Sequence, residues 1–200
     1  MSTKRKSTDE RKKEALEVAQ KIIYEEGFYK LTVRNIAEKM DISEAALYRH
    51  FKDKEDILDK LTDLVFYQGC KLNTVDYDDS LDILNNFIDK QIDLFESKPY
   101  LSIISFQDDM FREYPSIKRK FIEHQDKREK QLINIMKSGI QNNVIDENVN
   151  PDAFASIFMG SIRITVLKWK NKKFSYSLKD SLNEIKSELF QYIEYIEGDQ

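Results

Sequence analysis

Glycine and proline are scarce in this chain, five and three among 200 residues. A β-sandwich needs turn residues every ~8–12 positions, so the scarcity argues against a sheet protein and for long helices. There is one cysteine, Cys70, which excludes an internal disulfide framework and suits a reducing cytoplasm. The two histidines, His50 and His124, stand in no metal-ligand or nucleophile spacing. H-E-x-x-H and a glycine-rich phosphate loop are both missing. The carboxylates are scattered over polar faces, so no catalysis, metal or cofactor is expected. Long apolar runs are missing too: the most apolar window, Ala155–Leu167, is short and contains Arg163. Residues 1–14 are polar and basic, unlike a signal peptide. A cytoplasmic protein without membrane contact is expected.

What is present points to an all-α chain of about nine helices. Hydrophobic residues make up 40% and charged residues 34%, enough for a packed core under a solvated surface. The net charge of −4 is unevenly spread. Residues 1–60 carry 14 Lys/Arg against 13 Asp/Glu, and the remaining 140 carry 18 against 23. Lys4, Arg5, Lys6, Arg11, Lys12 and Lys13 form a basic arm before an acidic remainder, which suggests local contact with a polyanion.

The first helix is expected over Asp9–Glu26, with Ser7 and Glu10 at capping-box spacing and Gly27 at a left-handed end. Ala15, Val18, Ala19, Ile22 and Ile23 form its apolar stripe. Thr32 caps a second helix carrying Val33, Ile36, Ala37 and Met40, and a turn at Asp41-Ile42 leads to a third cap, Ser43. Ser43–Lys52 is a short helix, and Asp53 caps a fourth running from Lys54 to Asn73. Further helices are expected over Ser80–Ser97, Leu101–Phe111, Ser116–Gln141, Asp152–Lys170 and Leu178–Glu197, with Asn142–Asn150 as a loop.

Residues 32–51 thus read as a helix–turn–helix. Winding Ser43–Lys52 at 100° per residue puts Leu47, His50 and Phe51 on one side. Glu44, Ala45, Tyr48, Arg49 and Lys52 fall on the other. Leu47 and Phe51 can dock on Val33, Ile36, Ala37 and Val18, leaving an outward face that the major groove of double-stranded DNA admits. Arg49 suits guanine or phosphate, Ala45 a thymine methyl, and Ser43 a base edge or the backbone. Glu44 suits cytosine N4 or tunes specificity at a cost in affinity. Helix N-termini at Thr32 and Asp53, with Lys54, suit phosphates. Arg34, His50 and Lys52 complete the candidate set.

The run LTVRNIAEKMDISEAALYRHFKDKEDIL, within Arg11–Leu61, resembles the N-terminal domain of TetR-family transcriptional regulators. The matching motifs are T-V-R-x-I-A, I-S-x-x-A-L-Y-R-H-F and K-D-K-E-D-I-L, and they span about a quarter of the chain. The resemblance implies a three-helix DNA-binding head over 1–53 and a helical ligand-binding and dimerisation body over 54–200. It implies a homodimer formed by the last two helices, and repression relieved by a small-molecule effector. By position, Ser43–His50 would be the recognition helix, with Thr32, Tyr48 and Lys54 on the DNA backbone. One departure is Asp41, where the pattern commonly has glycine; Asp tolerates the left-handed region better than most residues.

In the body, Phe154, Ile157, Phe158, Ile162, Thr165, Val166 and Trp169 form a broad apolar face on the penultimate helix, where Gly160 and Ser161 would let a partner helix come close. Leu178, Leu182, Ile185, Leu189, Tyr192, Ile193 and Ile196 form another on the last. Two such helices from each of two subunits can build a four-helix bundle, or both faces can be spent inside one subunit. Phe66, Phe87, Phe106, Met110 and Phe121 are core residues or the walls of a site for an apolar or aromatic ligand. Gln107, Arg112, His124 and Arg163 are candidate polar anchors there. A thiol switch at Cys70 and a helical dimer with no DNA role are the alternatives.

Overall fold

The structure, a computed structural model, describes residues 6–67, 80–106 and 111–193. Among the described residues the chain forms nine α-helices, one 3-10 turn and no strand. Cys70, Gln107 and Met110, like Lys4 and Arg5 of the arm, lie outside the described residues.

Helix starts follow the local chemistry. Helix α1 (Thr8–Glu25) opens on a reciprocal capping box: Glu10 N–H donates to Ser7 Oγ, and Ser7 N–H donates to the Glu10 carboxylate. Gly27 follows it with φ +90° and ψ 161°. That is the extended positive-φ region, rather than the left-handed cap expected, and it is open essentially to glycine alone. A 3-10 turn (Phe28–Lys30) then leads to α2 (Val33–Lys39), capped by Thr32 Oγ1 on Asn35 N–H. Asp41 turns the chain at φ +53°, and Ser43 Oγ caps α3 (Glu44–Tyr48) on Ala46 N–H.

Helix α3 is shorter than the ten residues expected. It tightens into turns in which His50 and Phe51 N–H both reach Leu47 C=O. Asp53 Oδ1 then caps α4 (Lys54–Tyr67) on Asp56 N–H, while the Asp56 carboxylate accepts from Lys52 N–H.

The body adds α5 (Ser80–Ser97), α6 (Pro99–Ile104), α7 (Pro115–Gln141), α8 (Pro151–Asn171) and α9 (Leu178–Ile193). Three of these begin on proline, whose missing N–H costs nothing in a first turn. This is why α6 starts at Pro99, ahead of the Leu101 start expected; it ends at Ile104, short of Phe111. Helix α7 is central: it packs on α4, α5 and α8, and α9 covers α5 and α8. One continuous apolar core runs from Ala15 in α1 to Ile193 in α9.

Two seams tie the first three helices to the body. Tyr24 of α1 stacks between Tyr100 (5.0 Å) and Phe174 (5.1 Å), and Phe174 also meets Trp169 at 4.7 Å. Phe174 sits at φ +59°, unusual for a bulky residue, so its place in this cluster offsets local strain. On the other side, Phe28 packs edge-on against Phe111 and Tyr114, beside the start of α7.

Candidate nucleic-acid interface

The short helix α3 is held on one side and free on the other. Leu47 is 1% exposed and Phe51 3%. Burial of two such side chains contributes roughly 1.5–3 kcal/mol each and sets the rotation of the helix on α2. Given that rotation, Ser43, Glu44, Ala45, Tyr48, Arg49 and Lys52 are all exposed. Tyr48 is 51% exposed, a large price for an aromatic side chain in a helix with no apolar neighbour over it. The outward set anticipated from helical winding is therefore presented together.

The remaining candidates differ from one another. Thr32 is exposed, but its hydroxyl is occupied as the cap of α2. Arg34 Nε donates to Glu38 at 2.8 Å, and that hydrogen bond raises the guanidinium's pKa from its ordinary value. His50 turns partly inward, with Nδ1 buried and without a hydrogen-bond partner among the described residues. Lys54 is half-buried, its ammonium 4.7 Å from the centre of the Phe28 ring and 5.5 Å from that of Tyr114. It lies in the seam between the first helices and α7, held by the negative faces of two rings.

Two recesses frame the exposed helix. One of about 330 Å³ is lined by Lys6, Thr8, Arg11, Ile42, Ala46, Arg49 and His50. It joins the start of α1 to the end of α3 and is basic. Sequence patterning singled out the arm, but helical spacing gave no sign that Lys6 and Arg11 come beside Arg49. Both are partly neutralised by Glu14, at 2.7 and 2.9 Å, which keeps that carboxyl below its ordinary pKa. The second recess, about 460 Å³, is bordered by Lys52 and the cap residue Asp53, by Glu55, Asp56 and Asp59 of α4, and by Ser116 and Ile117 of α7, so four carboxylates face one lysine. Its carboxylates repel phosphate, so the side of α4 facing α7 bounds the DNA-facing surface.

An exposed helix seated through i, i+4 apolar contacts, with donors outward and a basic arm alongside, is the geometry that reads a groove. Residues 15–61 match the sequence profile of bacterial regulatory proteins of the tetR family. Over that segment the chain resembles the TetR family. An HTH-type transcriptional regulator of Staphylococcus aureus (strain USA300) is 40% identical over 53 residues, which are 26% of this chain and 29% of that protein. That stretch of sequence likeness is thus confined to a segment the length of the head.

The fold likeness runs further. The ketosteroid transcriptional regulator of Mycobacterium tuberculosis superposes with a TM-score of 0.77 at 18% identity, covering 92% of this chain and 95% of its own. FadR of Bacillus subtilis, solved with stearoyl-CoA, gives 0.73 at 22%, covering 91% and 99%. At such identities the likeness is one of fold. The shared layout, a helix–turn–helix head followed by a helical body, runs across the described chain.

The body residues expected at a dimer interface are placed differently by this fold. Phe158, Trp169, Leu182 and Ile193 are 0–4% exposed and Ile162 is 8%, all within the chain's own core. Leu189 is half-buried against that core, and Tyr192 alone of the set is well exposed, at 66%. Of the apolar face expected on α8, Ile157 is 53% exposed, and with Ile164 at 52% it flanks Gly160. A Cβ on Gly160 would meet nothing within 4 Å, so that face of α8 is open. Helical periodicity marks several apolar sectors on α8, but it does not say which of them the same chain covers.

The expected ligand residues separate as well. Phe66 and Phe121 meet edge-to-face at 5.0 Å, and His124 stacks on Phe66 at 4.7 Å. Phe87 packs against Phe158, and Phe106 against Phe95, in other parts of the core. Arg163 and Arg112 are exposed, so neither points into the aromatic interior. Burial lowers the pKa of His124, with Lys120 adding to that, so the imidazole is neutral at pH 7.

Proposed function

We propose that this chain is a DNA-binding transcriptional regulator that acts as a homodimeric repressor and is released by a small apolar or aromatic ligand. The observation that carries it is the outward set on α3, where Ser43, Ala45, Tyr48 and Arg49 are exposed together while Leu47 and Phe51 anchor the helix. In this reading Arg49, Ala45 and Ser43 meet base edges, and Thr32, Tyr48 and the Lys6–Arg11 arm meet phosphates. Lys54 acts at the seam rather than on DNA. Residues 1–53 form the head, and the remainder holds the effector and the dimer contact.

A second copy docking on the Ile157–Gly160–Ile164 face of α8, together with Tyr192 on α9, would give two heads related by a two-fold axis. The operator is then a near-palindrome with half-site centres ~34 Å apart. Relatives in fold bear names tied to ketosteroids and fatty acids, in keeping with an apolar effector here.

The test is selection of binding sites from random duplex DNA with purified full-length protein, followed by titration of the enriched site at several salt concentrations. Enrichment of a near-palindrome, with affinity falling steeply as salt rises, is expected. Recovery of no preferred sequence would leave the chain a helical dimer without a DNA role.

A further inference from the structure

Phe121, His124 and Arg128 are spaced three and four residues apart, so they share one face of α7. That face turns toward Phe66 of α4, which lies between the two helices' side chains. His124 stacks on the Phe66 ring at 4.7 Å with an interplanar angle of 13°, and the Arg128 guanidinium carbon is 5.7 Å from the same ring's centre. Phe121 closes against Phe66 from one side and against Phe111 from another.

Within this aromatic setting Arg128 Nε and Nη2 are buried and have no hydrogen-bond partner among the described residues. The ring face attracts the cation but is not the oxygen acceptor that these N–H groups lack. Arg128 as a whole is half-buried, but these two donors are shut off from water, and a buried N–H left unpaired is costly. No carboxylate pairs with these two donors among the described residues, and the Asp59 and Asp63 carboxylates of α4 pair with Lys120 at 2.6 Å.

The identity of the two orphan nitrogens is informative. Nε–H and the Nη2 N–H bond beside it lie parallel along one edge of the planar group, the fork that a carboxylate fills with its two oxygens. We infer that the α4–α7 junction is the anchor of the effector site, with the Arg128 fork binding the carboxylate of an apolar acid whose carbon skeleton lies against Phe66 and Phe121. His124, neutral, supplies one further N–H to the same group. A single fork in an aromatic wall matches one negative charge on an otherwise apolar molecule, and not a polyphosphate. Phe66 lies on α4, so an acid seated there bears directly on the helix that starts at Lys54 beside the head. This inference rests on the proposed function only for the word effector; the binding site itself does not depend on DNA.

The experiment is calorimetric titration of the full-length protein with laurate and with 4-phenylbutyrate, each beside its alcohol, and with lauroyl-CoA. At least one acid is expected to bind, at least tenfold more tightly than its alcohol. Arg128→Gln should weaken that acid by roughly tenfold to a hundredfold, the worth of a charge-assisted hydrogen-bond pair, and leave the alcohol unchanged. Arg128→Lys should lose most of the same affinity, because an ammonium lacks the fork. Removing an unpaired buried cation should also leave the melting temperature of ligand-free Arg128→Met protein equal or higher, whereas an arginine with a structural partner would lower it. Failure of both acids to bind would overturn the inference. So would equal binding of acid and alcohol, a lower melting temperature for Arg128→Met, or lauroyl-CoA binding that ignores Arg128. A gel shift on ligand-free protein reads the DNA function separately, so the two can fail independently.

Discussion

Replacing Lys120 by methionine keeps the aliphatic stem on α7 and removes the charge that joins it to α4. Lys120 Nζ lies 2.6 Å from both Asp59 and Asp63, which are four residues apart on α4. Burial opposes the charge on Lys120, but its hydrogen bonds to the two aspartates outweigh that and raise its pKa. Burial likewise opposes charge on Asp59, and the bonds from Lys120 and Lys60 outweigh it and lower that carboxyl. The methionine variant loses two charge-assisted bonds and leaves two carboxylates facing each other at i, i+4 spacing. Full values for such bonds would be ~1.5–3 kcal/mol each. The groups are about a third exposed, so solvent screening reduces the net loss to about 1–3 kcal/mol.

For a chain of this size that is a fall in melting temperature of roughly 3–10 °C at pH 7. The sign with pH follows from the two shifts. The Asp59 contribution is present above its unfolded pKa of about 3.9 and is lost as pH falls through its lower folded value. The Lys120 contribution is complete below its unfolded pKa of about 10.4 and is lost as pH rises through its higher folded value. Wild type and variant should therefore differ most between about pH 4 and pH 10 and converge toward acid. Thermal melts followed by far-ultraviolet circular dichroism at pH 3, 7 and 9 measure this. Equal melting temperatures at pH 7, or a gap that widens in acid, would refute the idea that this cluster fastens α4 to α7.

The other predictions concern the head and the assembly. Arg49→Ala removes an exposed side chain, so it should cut affinity for a selected DNA site by about tenfold to a hundredfold while leaving the melting temperature within about 1 °C. Asp41→Val should cost about 1–2 kcal/mol in urea denaturation, because a β-branched residue resists φ +53°, whereas Asp41→Gly should be nearly neutral. Ile157→Glu with Ile164→Glu should give a folded monomer by light scattering, with the operator affinity of the dimer lost. Phe158→Glu, by contrast, puts a charge in the chain's own core and should unfold it. An unchanged assembly in the first of these would place the dimer contact elsewhere.

Caps and turns were written in the chain itself. Ser7, Thr32, Ser43 and Asp53 cap the helices where their spacing predicts, and Asp41 takes the left-handed turn. These interactions join residues two to four apart, so the local sequence contains both partners. The outward face of α3 was legible for the same reason: once Leu47 and Phe51 are the buried pair, 100° per residue determines where Tyr48 and Arg49 point. Tertiary structure decided what depends on distant neighbours. Phe158, Trp169, Leu182 and Ile193 looked like partner-facing residues and proved to be the chain's own core, because periodicity defines an apolar sector but not which helix covers it. The sequence marks Lys54 as a phosphate contact but cannot show that the fold brings Tyr114, sixty residues on, beside it and Phe28. Arg128 carries no local signal at all. Only the packing of α7 on α4 buries its guanidinium, and a buried cation acquires meaning from the groups that do or do not surround it.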